Sequence, residues 1–129
     1  MTEENKLVQI SVVIPLYNEK GNIQKLISKI EAVPLKKEII IVDDHSTDGS
    51  YELLRDGLAE KYRAIRLLRH ERNMGKGAAI RTGLGAITGE IVIIQDADLE
   101  YDPDDYPKLT APIAEGKADV VYGSRFKHL

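Results

Sequence analysis

Asp96 and Asp98 stand one residue apart, directly after the apolar run Ile91–Ile94 and Gln95. In an extended chain alternate side chains share a face, so both carboxylates point one way and Ala97 the other. Like charges held that close repel, and each raises the pKa of the other. A cation between or beside them removes that penalty. Carboxylate oxygens suit Mg²⁺ or Mn²⁺, and Mg²⁺ typically takes one or two carboxylates together with substrate phosphates. Glu100 falls on the same face if the extension continues. The plain alternative is a solvated turn after a strand, where Asp is common.

Other clusters carry compatible chemistry. "PLYNE" holds Pro15, Tyr17 and Glu19, "DDHS" holds Asp43 and Asp44, "NMGKG" holds Lys76 between two glycines, and "GSR" ends on Arg125. Lys76 and Arg125 supply positive charge for phosphate oxygens. Each cluster also has an ordinary reading. Asp43, Asp44, Ser46 and Asp48 are good helix-capping residues. "NMGKGAA" is not the Walker pattern, so its glycines could serve a tight turn alone. Tyr17 could be a half-buried core aromatic, and Lys76 a solvated loop side chain. His45, His70 and His128 are scattered and form no metal set, although the loop position of His45 makes it a candidate wall residue. As an ensemble, the clusters read as a site for a nucleotide diphosphate with a divalent metal.

The elements that must position them follow from periodicity. Apolar runs predict strands over 8–14, 38–42, 65–68, 91–95 and 119–122. Pro15 is expected to end the first. The second is a continuous apolar run, the mark of a strand buried on both faces. Ile23, Leu26, Ile27 and Ile30 follow helical spacing, and Pro34 closes that helix. Tyr51, Leu54 and Leu58 mark a second helix. Residues 78–87 form a third, weakened by Gly83 and Gly85, and 107–115 a short fourth. Alternating strands and helices predict an α/β fold, a mostly parallel sheet with helices on both faces. In such sheets ligands bind beyond the carboxyl ends of the strands. The clusters at 15–19, 43–46, 96–100 and 123–125 all follow strands, so they would converge on that edge.

The whole chain sets the bounds. Its 129 residues are one domain's worth, 43% hydrophobic and 30% charged, which reads as globular. A net charge of -3 argues against a nucleic-acid binder held by phosphate contacts. There is no cysteine, which excludes a disulfide framework, a thiolate nucleophile and a Cys-based zinc site. That absence fits a cytoplasmic location. The first nine residues, "MTEENKLVQ", lack the apolar core of a signal peptide. No apolar run approaches the ~20 residues that span a bilayer.

The ordered set "VVIPLYNE", "IIIVDDHSTDG", "NMGKGAAIRTGLGAITGEIVIIQDADLE" and "ADVVYGSRF" closely resembles family 2 glycosyltransferases of the Rossmann-like GT-A fold. The nearest subgroup looks like the dolichol-phosphate mannose synthases and their bacterial polyprenyl-phosphate relatives. The resemblance runs from about Val8 to Phe126. It implies that Pro15, Tyr17 and Glu19 line the nucleotide base and ribose, that Asp44 bonds the base, and that Lys76 lies by the nucleotide. It implies that Asp96 lies near ribose and metal, that Asp98 is the principal metal ligand, and that Arg125 faces substrate phosphates. The mannose-synthase subgroup usually has Gln where this chain has Glu100, a competent and more negative ligand.

The resemblance further implies an inverting, metal-dependent transfer from a GDP- or UDP-sugar. The acceptor it implies is a lipid phosphate, reached at the cytoplasmic membrane face. Family members continue past "GSRF" into an acceptor-binding half, so residues 1–129 are expected to form a single domain, the donor half of an apparently truncated catalytic domain. A surface left uncovered there would invite self-association. Three other readings exist. A response-regulator receiver would need a phosphoacceptor Asp after its third strand, where this chain has Arg69 and His70. A nucleotidyltransferase would carry a glycine-rich basic loop after its first strand. The chain could also be a folded fragment that binds nucleotide, or only folds, without catalysis.

Overall fold

The computed structural model describes residues 9–58, 65–97, 103–107 and 120–122. Among them run β1 (Ile10–Leu16), α1 (Lys20–Glu31), β2 (Lys37–Asp43), α2 (Ser50–Leu53), β3 (Ile65–Arg69), α3 (Lys76–Leu84), β4 (Ile91–Ile94) and β5 (Val120–Tyr122). A π-helical turn, Leu54–Leu58, continues α2, and a 3-10 turn covers Pro103–Asp105. Most of the helix expected over 107–115 lies outside the described residues.

The five strands form one parallel sheet in the order β3-β2-β1-β4-β5. All seven residues of β1 are buried, as are six of the seven in β2. That is the burial expected of central strands covered on both faces. On one face, Val12, Ile14 and Leu16 of β1 pack with Ile39 and Ile41 of β2 against Ile23, Leu26, Ile27 and Ile30 of α1. On the other, Val13, Ile40 and Val42 pack against Ala79 and Ile80 of α3 and against Ile87. The period of two along each strand thus delivers alternate residues to two separate helical layers.

Two local expectations are corrected. Pro15 does not end the first strand; it lies within β1, paired in register with Val42. Along β1, the Val13 carbonyl accepts from Gln95 N–H on the β4 side, and the Leu16 carbonyl accepts from Asp44 N–H on the β2 side. Pro15 therefore turns its missing N–H toward β4, whose ladder with β1 has already ended at Ile94. Nothing is lost there. Gly83 does not merely weaken α3 either. A Cβ at this position would sit 2.5 Å from Val13 Cγ1, so the glycine sets how closely helix and sheet approach.

The chain winds outward from β1 through β2 to β3, then crosses to β4 on the far side of β1. The direction of winding reverses between β1 and β4. The crevice beyond the carboxyl ends at such a reversal is where open α/β sheets bind ligands.

Candidate functional site

A cleft of about 350 Å³ opens at that reversal. Its lining includes Pro15 near the end of β1, Tyr17 and Glu19 after it, Asp44 after β2, Asn73, Gly75 and Lys76 before and into α3, and Asp96 after β4. Six expected site residues, Pro15, Tyr17, Glu19, Asp44, Lys76 and Asp96, are therefore brought together. Asp98, Glu100 and Arg125 lie outside the described residues.

The loops that carry the wall are stitched to one another. Asn18 takes a left-handed conformation (φ 52°), and its N–H donates to Ser46 Oγ at 2.9 Å. Its Oδ1 accepts from Thr47 N–H at 2.8 Å. Asp48 accepts from Ser50 N–H at the start of α2 and from Lys20 N–H at the start of α1. Neither Asp48 nor Ser46 is a helix cap as expected: the N-cap of α2 is Gly49, and both side chains serve the loops instead, Asp48 bridging the starts of the two helices and Ser46 holding Asn18. Asp43 turns away from the cleft to Arg69, whose Nε donates to its carboxylate at 3.2 Å while the guanidinium stacks over Tyr51 at 4.4 Å. Tyr17 is no core aromatic. It is 46% exposed, as suits a ring on a cleft wall.

Asp44 is the most constrained group in the wall. It is 3% exposed. Its Oδ1 accepts from Met74 N–H and His70 Nδ1, and its Oδ2 from Gly75 N–H, each at 2.8 Å. Burial would raise its pKa, but the bonds from Met74, His70 and Gly75 outweigh that and lower it. Two amides of the glycine loop thus hang on one carboxylate. Gly75 is at φ +98°, a conformation that side chains rarely adopt, and it leads directly into α3 and Lys76.

Sequence reasoning missed His70. Its Nδ1 binds Asp44 and its Nε2 meets the Thr82 hydroxyl at 2.8 Å. An ionised carboxylate only accepts, so Nδ1 carries a proton and, in the neutral ring, Nε2 accepts from Thr82. The signal was present: His70 follows β3 at the same carboxyl edge as the other clusters. His45 does not line the cleft; its Nδ1 lies 3.2 Å from the His70 carbonyl. Also missed was the support behind Asp96. Gln95 is fully buried, and its Oε1 accepts from the buried Tyr106 hydroxyl at 2.8 Å.

Opposite charges meet inside the cleft. Lys76 Nζ lies 2.5 Å from Asp96 Oδ1, with the lysine side chain 53% and the aspartate 13% exposed. Asp96 thus offers a mostly covered carboxylate that already accepts a cation, the donor chemistry that Mg²⁺ or Mn²⁺ uses. Among the described residues no three acids or histidines converge to hold an ion by themselves. The donor set fits a hard ion taken by one or two carboxylates and completed by phosphate. Among the described residues no helix is long and apolar enough to cross a membrane.

The parallel sheet, with its helical layers and winding reversal, is of the Rossmann-like GT-A fold. The chain belongs to glycosyl transferase family 2, whose description "Glycosyl transferase family 2" matches residues 11–129. It is 35% identical over 121 residues to a dolichol-phosphate mannosyltransferase of Pyrococcus furiosus, covering 92% of this chain and 34% of that protein. It is 38% identical over 125 residues to an undecaprenyl-phosphate 4-deoxy-4-formamido-L-arabinose transferase of Yersinia enterocolitica, covering 94% and 38%. Among solved structures, a mannosyltransferase from Pyrobaculum calidifontis in complex with GDP-Man and Mn²⁺ aligns with a TM-score of 0.70 at 34% identity. That alignment covers 77% of this chain and 30% of that one. The chain spans little more than a third of the length of these curated relatives. Family membership disposes of the receiver and nucleotidyltransferase readings.

Proposed function

We propose that this chain is the donor-nucleotide part of a metal-dependent, inverting glycosyltransferase. It would bind a nucleotide-diphosphate sugar, GDP- or UDP-linked, and serve transfer to a polyprenyl or dolichyl phosphate. The observation that carries this reading is the cleft at the winding reversal, where Tyr17, Glu19, Asp44, Lys76 and Asp96 converge. The names of the relatives and the GDP-Man and Mn²⁺ of the Pyrobaculum neighbour support it.

In this reading Tyr17 and Glu19 flank base and ribose. Asp44 has three of its roughly four acceptor positions filled from the described residues. The remaining one, on Oδ2, suits a single base N–H. Lys76 would donate to diphosphate oxygens, and Arg125 would face the substrate phosphates. Asp98, with Asp96 and Glu100, would hold Mg²⁺ or Mn²⁺. When bound, such an ion neutralises charge growing on the departing diphosphate. The acceptor oxygen would attack the anomeric carbon from the face opposite the diphosphate, inverting it. A phosphate acceptor is anionic near neutral pH and needs no general base. A lipid-borne acceptor would place the reaction at the cytoplasmic membrane face.

Because the chain spans about a third of its relatives' length, binding tests the reading better than turnover does. The experiment is calorimetric titration with UDP, GDP and their sugar conjugates, with and without Mn²⁺, on the wild type and Asp98→Asn. Metal-dependent binding to one nucleotide, lost in the variant, is the expected result. No binding by a chain that circular dichroism shows to be folded would overturn the reading, leaving a fragment that only folds.

A further inference from the structure

Lys76 and Asp96 reach each other from different elements, the start of α3 and the residues after β4. The pair is asymmetric. Asp96 is mostly covered, while Lys76 is half exposed on a four-carbon stem that can re-aim its head. The lysine backbone is fixed, because the preceding amide, Gly75 N–H, is bonded to Asp44 at 2.8 Å. The movable member of the pair is therefore the ammonium head alone. It lies 2.5 Å from Oδ1, an oxygen that a divalent ion at this carboxylate would take.

We infer that Lys76 competes with the divalent ion for Asp96, and that a nucleotide diphosphate resolves the competition by drawing the ammonium onto its phosphate oxygens. The inference rests on the reading above, that the cleft takes a metal and a diphosphate. It adds a coupling between them. An ion arriving alone must displace a cation of its own sign, at a separation where charges still interact through the protein. An ion arriving with a diphosphate finds the carboxylate released. By linkage, the nucleotide then tightens the metal by the same factor as the metal tightens the nucleotide.

The consequence is a pair of opposite signs. Removing the ammonium strengthens binding of the metal alone and weakens binding of the nucleotide. A lysine that only supported local structure would weaken both. The half exposure of Lys76 keeps the effect modest, on the order of tenfold rather than a thousandfold.

The test is Mn²⁺ titration of the intact chain, with free Mn²⁺ read by electron paramagnetic resonance, in the absence and presence of GDP or UDP. Lys76→Gln is expected to bind Mn²⁺ alone about tenfold more tightly than wild type. Lys76→Arg keeps the charge and is expected to keep the weak binding. The tightening of Mn²⁺ on adding nucleotide should shrink in Lys76→Gln. In an Asp96→Asn background the Gln substitution should no longer tighten Mn²⁺ binding in the absence of nucleotide, since the shared carboxylate is gone. Equal or weaker Mn²⁺ binding by Lys76→Gln overturns the inference while leaving the donor-site reading in place. Failure of every variant to bind Mn²⁺, with or without nucleotide, removes both.

Discussion

Glu38 and Asp44, near the start of β2 and just past its end, are both buried carboxylates, and their fates differ. Glu38 is 8% exposed and Asp44 is 3% exposed. Burial would raise both pKa values, yet both are lowered, because hydrogen bonds to the ionised form outweigh it. Glu38 Oε2 accepts from Ser11 Oγ at 2.6 Å, from Thr88 N–H at 2.6 Å and from the Thr88 hydroxyl at 2.9 Å. Ser11 Oγ accepts in turn from Gly89 N–H at 2.8 Å. That network closes on itself and ties the β4 approach to β1 and β2. The Asp44 network opens onto a cleft that also holds Tyr17, Lys76 and Asp96. A perturbed buried carboxylate therefore does not by itself mark a site. Position at the carboxyl edge and opposing charges nearby separate the two.

Three perturbations break or sharpen that contrast. The largest expected effect is at the closed network. Glu38→Ala leaves Ser11 and two donors of Thr88 facing a buried gap, at a cost of about 2–4 kcal/mol in chemical denaturation. Nucleotide affinity of the folded variant should stay unchanged; a drop matching that of Asp44→Asn would erase the distinction. Asp44→Asn comes next. One of its oxygens becomes an NH₂ facing a backbone N–H, at a cost of about 1–3 kcal/mol. It should also weaken nucleotide binding at least about tenfold in calorimetry.

The smallest of the three is Thr82→Val, which removes only the outer partner of His70. A loss of about 1 kcal/mol in stability is expected, with a lesser decline in nucleotide affinity. Acid treats both networks alike. Carboxylates with lowered native pKa values stabilise the fold above the unfolded value of about 4. That contribution is lost as pH falls through the lowered native values. Circular dichroism on acid titration should show unfolding shifted to higher pH in Glu38→Ala and Asp44→Asn, which each lack one such group.

Much of this was legible in the chain itself. The runs in β1, β2 and β4 are apolar because both faces are covered, and α1 shows its buried stripe at Ile23, Leu26, Ile27 and Ile30. Strand ends followed by acids pointed to the correct edge. What was not legible depends on neighbours distant in sequence. Pro15 is tolerated inside β1 only because β4 ends beside it. Gly83 matters only because Val13 lies beneath it. The order β3-β2-β1-β4-β5 leaves no mark on local periodicity, so the reversal between β1 and β4 needed the structure. His70 looked isolated because its partners, Asp44 and Thr82, are 26 and 12 residues away.

The central claim is that ligand binds at the Asp44 edge of the sheet and not at the Glu38 edge. Paramagnetic broadening of amide NMR signals by Mn²⁺ with GDP or UDP tests it directly, because broadening reports proximity to the ion. The account predicts nucleotide-dependent loss of signals from residues 16–19, 44, 73–79 and 95–97, with those of Glu38, Thr88 and Gly89 retained. Broadening centred on Glu38 and Thr88, or none at either edge in the folded chain, would contradict it.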